Sequence, residues 1–163
     1  MTPDSAAPLW ETDPAVLPVV IAAAIAAAAC VGLHGEVVCR LVAWGQSTKR
    51  SLRVVLPSCV LVLLSTHVVQ VLIFALAHFL VEQLFGERVG QLSMAADGSL
   101  TERFYFSGVV FSTLGFGDIV PVGPIRLLVT VESITGLMLI AWSAAMTYGV
   151  LEREHNSRRG NRS

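Results

Sequence analysis

Charge is what this chain has least of. Only 14% of its 163 residues are Asp, Glu, Lys or Arg, where a soluble domain carries about a quarter, and 54% are hydrophobic. That shortage excludes an ordinary soluble globule and points to a membrane protein. The net charge of −1 excludes a general electrostatic pull toward nucleic acid. Cysteine is sparse as well: Cys30, Cys39 and Cys59 lie in or beside apolar runs, at spacings that match no metal-ligand pattern. They read as small buried hydrophobes. No Ser/His/Asp set, phosphate loop or redox motif has the placement that catalysis would need, so neither an enzyme nor a cofactor is expected. No helix repeats arginine at every third position, which excludes the usual voltage sensor. An internal repeat of the kind that transporters carry is missing too.

What the chain does have is long apolar runs. Residues 1–14 form a polar, proline-bearing tail with Asp4, Glu11 and Asp13 and no basic residue. Residues 15–41 exceed the ~20 residues that span a bilayer core and are expected to be the first transmembrane helix. Ala27-Ala28-Ala29-Cys30 faintly resembles a lipoprotein processing site, but a signal peptide opens with positive charge and this tail is acidic. Ala24, Ala28, Gly32 and Gly35 recur at spacings of three and four, which favours close helix contact in lipid.

Residues 42–53 carry Lys49, Arg50 and Arg53, following Arg40 and Trp44. This is a basic loop that the positive-inside bias assigns to the cytoplasm, which puts the amino terminus outside. A second span is expected over 54–85, with Pro57 near its first turn, where a missing donor costs least. Residues 86–102 are polar and of mixed charge, an extracellular turret. The next segment, 103–112, covers only ~15 Å as a helix, so 103–124 dips into the membrane and returns. A third span over 125–151 leads to a tail, 152–163, whose Arg153, Arg158, Arg159 and Arg162 again read as cytoplasmic. Both basic clusters fall on one side of the cell membrane, and the multi-pass topology is self-consistent.

At the turn of that dip stands Thr113-Leu114-Gly115-Phe116-Gly117-Asp118. It resembles the selectivity filter of potassium channels, whose usual form is Thr-Val-Gly-Tyr-Gly-Asp. The setting agrees: an aromatic-rich segment from Phe104 to Ser112 precedes it, Pro121 follows, and an apolar run begins at Ile125. The resemblance implies an all-α membrane protein with three transmembrane helices plus a re-entrant pore helix and filter per chain, four chains forming a potassium-channel-like pore. Rings of backbone carbonyls replace the water around a cation, and glycine permits the backbone this requires. Carried over by the resemblance, K+ is held by the carbonyls of Thr113, Leu114, Gly115 and Phe116 and the Thr113 hydroxyl. Gly117 completes the filter, and Asp118 anchors the outer mouth.

Supporting roles follow from the same resemblance. In many relatives a pore-helix aromatic bonds the filter tyrosine, but here the two positions are Phe106 and Phe116. Both ends of that bond are absent together, leaving an apolar cuff. Leu-Gly-Phe-Gly variants occur among two-pore-domain relatives. Tyr105 is placed to bond Asp118. Val109 stands where some relatives carry a glutamate, and Glu132, an ionisable group at membrane depth, is a candidate to bond the back of the filter instead. Gly136 matches an inner-helix glycine at which relatives bend, and close packing is the equal alternative. His67, Gln70, Phe74 and His78 share a face at spacings of three, four and four. With His34 and Glu36 they offer interhelical polar contacts, or a sensor site for protons or a metal. His34 and Glu36, with Glu132, Gly136 and Trp142-Ser143, also resemble small bacterial one-pore ion channels.

The function implied is passive, potassium-selective conduction by a homotetramer in the lipid bilayer. K+ is the permeant ion, no nucleic acid is involved, and a regulatory partner outside this sequence is one candidate for gating. Two alternatives stay open: a weakly selective cation channel, and a non-conducting regulatory subunit of a larger channel.

Overall fold

In lipid every backbone polar group has to be satisfied within the segment that carries it, which makes helices the only open-ended spanning structure. The computed structural model follows that constraint. It describes residues 14–48, 51–93 and 99–160, with side chains as far as 152. Residues 1–13 of the expected tail, Lys49 and Arg50 of the basic loop, 94–98 of the turret and 161–163 lie outside the described residues. Among the described residues four α-helices form: α1 (Val16–Ser47), α2 (Leu52–Phe85), α3 (Leu100–Phe111) and α4 (Arg126–Gly160). A 3-10 turn, Gly86–Val89, extends α2. The first, second and fourth helices are long and apolar enough to cross a membrane. Their serines and threonines do not break them, because hydroxyls such as Ser58, Thr66 and Thr135 donate to the carbonyl four residues back.

The helices outrun their hydropathy. α1 reaches Ser47 rather than 41, so much of the expected basic loop is helix, and α4 continues past 151 to Gly160. Beyond the hydrocarbon, water satisfies side chains while the helical backbone keeps its own bonds, so a change in polarity need not end a helix. Pro57 is the sixth residue of α2, two residues deeper than expected, and its missing N–H leaves the Arg53 carbonyl without its usual donor.

Two short strands, β1 (Gln91–Ser93) and β2 (Val120–Val122), pair antiparallel with Leu92 opposite Pro121. Ile125 N–H donates to the Val89 carbonyl at 2.8 Å beside them. This ribbon ties the end of α2 to the start of α4 and frames α3 between them. α1 packs on α2 and α4, and α3 packs on α2 and α4. Phe74, Phe111, Ile125, Leu128 and Leu139 form the main core, and Val38, Leu41, Cys59 and Met146 a second cluster toward the other ends of the helices.

Candidate functional site

The short helix α3 begins at a capped end. Ser99 Oγ accepts from the Glu102 N–H at 3.3 Å, and the Ser-Leu-Thr-Glu order is that of a capping box. This puts the start at Leu100, ahead of the expected 103. Arg103, buried, forms an ion pair with Glu82 of α2, and its Nε donates to Glu82 Oε2 at 3.2 Å. Its guanidinium lies 5.3 Å from the Phe79 ring centroid. Glu82 Oε1 also accepts from the Leu92 N–H at 3.2 Å. One carboxylate therefore fixes α3 against both α2 and the ribbon.

The other end of α3 delivers the glycine-bearing turn. Leu114 N–H donates to the Val109 carbonyl and Thr113 N–H to the Val110 carbonyl, both at 2.9 Å. Those two bonds, six-to-one and five-to-two, form a Schellman motif. The motif's left-handed position falls on Thr113, with φ +60°, where glycine is usual and a β-branched residue is an outlier. Gly115 and Gly117 follow with φ +57° and +78°, while Leu114 and Phe116 between them have no positive φ. Such alternation cancels the side-to-side alternation of a strand, so successive peptide groups turn toward one edge. Its N–H counterpart is the anion-binding nest.

Residues 112–118 are all exposed on the single chain, Leu114 at 61% and Phe116 at 64%. α3 points its negative, C-terminal end at this segment, an arrangement that favours a cation. At the far end, Tyr105 Oη donates to Asp118 Oδ2 at 2.8 Å, and Asp118 Oδ1 accepts from the Ile119 N–H at 3.1 Å. The bond to Asp118 raises the Tyr105 pKa above the usual phenol range, with desolvation and the Asp118 charge adding to it. The sign follows: the contact holds at neutral pH and is lost as pH rises through that raised value.

Comparison with known proteins adds to this geometry. A family model described as "Ion channel" matches residues 59–153, which takes in α3, the turn and most of α2 and α4. The chain belongs to the ion channel family. The channel is also similar to the inward rectifier potassium channel Kirbac3.1 of Paramagnetospirillum magnetotacticum, with 37% identity over 60 residues, 36% of this chain. It spans 20% of that relative's length. No solved structure matches the chain.

Three of the channel's residues stand elsewhere than the sequence suggested. Phe106 is buried with its ring edge-on to His78 at 5.6 Å, while Phe116 is exposed, so no apolar cuff joins them within the chain. Glu36 is exposed and pairs with Arg40 one turn on, at 2.6 Å. Two residues after His34 it is turned about 200° around the helix, and it takes no part in the interhelical contacts. Glu132 does not bond the back of the turn. Its Oε2 meets His78 Nε2 at 2.8 Å, and both side chains are fully buried.

Ser107 of α3 lies alongside Glu132 without reaching hydrogen-bond geometry. Ser107 Oγ, Glu132 Oε1 and His78 Nδ1 are therefore buried with no partner among the described residues. Removing one member of a buried pair strands the other. His78→Leu should lower stability by about 3 kcal/mol, and His78→Leu with Glu132→Leu together should recover most of the loss, as read by thermal unfolding in detergent.

Gly136 is where α4 meets the end of α3 backbone to backbone. A Cβ there would stand 2.8 Å from the Phe111 carbonyl carbon and closer still to its oxygen. His34, His67 and Gln70 converge between α1, α2 and α4 with Ser143, a fourth member that the histidine spacing could not reveal because it belongs to another helix.

Proposed function

We propose that the channel conducts potassium selectively and passively, four copies placing residues 113–117 around a shared axis. The observation that carries this reading is the alternation of positive φ at Thr113, Gly115 and Gly117, in a segment that is exposed on one chain and held between a half-crossing helix and a spanning one. Non-helical backbone at membrane depth has to be enclosed by protein or line water, and a single chain encloses neither face of it. Rings of carbonyls from several copies meet both needs. The carbonyls of Thr113, Leu114, Gly115 and Phe116 are the proposed ligands, with K+ as the permeant ion and no cofactor. Tyr105 and Asp118 brace the outer mouth. The amino terminus lies outside and the end of α4 in the cytoplasm of the cell membrane. The potassium channel similar over 60 residues supports the choice of ion.

Current through the purified chain in planar bilayers, with potassium on one side and sodium on the other, tests the proposal. Reversal near the potassium equilibrium potential is the expected result. Reversal near zero would favour the weakly selective cation channel. Silence from a folded oligomer would favour the non-conducting subunit.

A further inference from the structure

With both imidazoles neutral, the polar contacts among His34, His67, Gln70 and Ser143 place their hydrogens. Gln70 Nε2 sits 3.1 Å from the Cys30 carbonyl oxygen, so that end of the amide is the NH2 and Oε1 is the acceptor. Oε1 lies 2.9 Å from His67 Nδ1, so His67 Nδ1 carries a hydrogen. Neutral His67 then accepts at Nε2, 3.0 Å from Ser143 Oγ, and the serine donates. With its hydrogen spent, Ser143 accepts from His34 Nε2 at 3.4 Å. That leaves His34 Nδ1 as an acceptor, 3.3 Å from Gln70 Nε2, which supplies its second hydrogen. The four side chains close a ring that runs in one direction only, with both imidazoles neutral.

The two histidines differ in what an added proton does. On His34 the free nitrogen is Nδ1, which faces an NH2 group, and two donors would oppose each other. On His67 it is Nε2, which faces a hydroxyl. The Ser143 hydroxyl can turn its hydrogen away from His67, which the Gln70 NH2 cannot do toward His34 while it stays bonded to the Cys30 carbonyl. Its oxygen then accepts from both imidazoles. We propose that this ring is a binding site for one proton, taken up at His67 Nε2 while His34 stays neutral, and that the bound proton lowers cation flux.

The second half of the proposal rests on the channel reading. The His67 ring lies 5.8 Å from that of Phe111, within the ~6 Å at which a cation is drawn to an aromatic face. Phe111 ends α3, whose C-terminus favours positive charge. A proton there adds like charge behind the segment that would hold the permeant ion. The other titratable groups near the ring are Cys30 of α1, whose thiol donates to the Gln70 backbone carbonyl at 3.8 Å, and Glu132 of α4, which acts electrostatically on Cys30 and is paired with His78 of α2. From α3, the Phe111 ring meets His67.

Nitrogen-15 spectra of histidine-labelled whole chain in detergent, between about pH 8 and about pH 5, read the site without reference to flux. His67 should gain a proton, and His34 should keep its Nε2–H tautomer throughout. Ser143→Ala, which removes the acceptor, should suppress the His67 titration in a protein whose elution volume is unchanged. In liposomes, potassium flux should fall several-fold across the same range, and His67→Gln should abolish the fall. Titration of His34 in place of His67, or of neither, would overturn the proton site. An acid response that survives His67→Gln would overturn the coupling. Absence of flux at every pH would sink the channel reading, and the coupling with it, while the spectra still decide the site.

Discussion

Gly136→Ala should cost more stability than alanine at any other described glycine of the α-helices. The added carbon would stand 2.8 Å from the carbonyl carbon and 2.9 Å from the Cα of Phe111, with the carbonyl oxygen nearer still. Overpacking against side chains costs about 1–3 kcal/mol because rotamers can give way. Here the obstacle is backbone, so α4 must move from α3 as a body, and the cost should exceed about 3 kcal/mol on that scale. Gly149, on the same helix, has nothing within 4 Å of its would-be Cβ. Gly149→Ala should stabilise by up to about 1 kcal/mol through helix propensity alone. Thermal unfolding of both variants in detergent makes the comparison. A pure hinge at Gly136 predicts the reverse pattern, a folded and stable variant with altered gating. Flux should also be lost in Gly136→Ala, since Phe111 leads directly into Ser112 and Thr113, and a displaced α3 cannot present them.

The parts of this fold that were legible in the sequence are those set by solvent. Three apolar runs became three spanning helices, and the short run between them became a helix too short to cross. Tyr105 and Asp118, which the resemblance to potassium-channel filters pairs, meet at 2.8 Å. Helix ends were less legible, for two reasons. At Leu41 and Leu151 the chain turns polar while the backbone has no reason to leave the helix. At Ser99 the signal was present in the Ser-Leu-Thr-Glu capping order but was overshadowed by the aromatic run after it.

Polar contacts between helices were legible by residue and not by partner. Periodicity correctly gathered His67, Gln70 and His78 on one face of α2, since that face is a property of one helix. Which of them meets Glu132 or Ser143 depends on how α1 and α4 are rotated and shifted against α2. Steric fit sets those quantities, notably the Gly136 contact with Phe111, and one-dimensional patterning does not encode them. Glu36 illustrates the limit: it is a near neighbour of His34 along the chain and stands on the far side of the same helix, bonded to Arg40.

Gly115→Ala should separate conduction from folding, which Gly136→Ala cannot do. Beyond its two chain neighbours, no atom lies within 4 Å of a Cβ built on Gly115 in the single chain, so there is no collision for the fold to absorb. The cost is conformational: an L-residue at φ +57° pays roughly 1–2 kcal/mol relative to glycine. The chain already tolerates one such residue two positions earlier, where the Schellman bonds hold Thr113 at φ +60°. Gly115 has no comparable pair of bonds, so its alanine variant can relieve the strain by turning its peptide plane. That movement takes a carbonyl out of the line on which conduction would depend, and it leaves the rest of the chain in place. Potassium flux from liposomes should fall below detection while the unfolding temperature changes little and the oligomer elutes unchanged. Unaltered flux in a properly assembled Gly115→Ala channel would mean that the ion passes elsewhere, and that the alternating backbone of residues 113–117 serves some structural end instead.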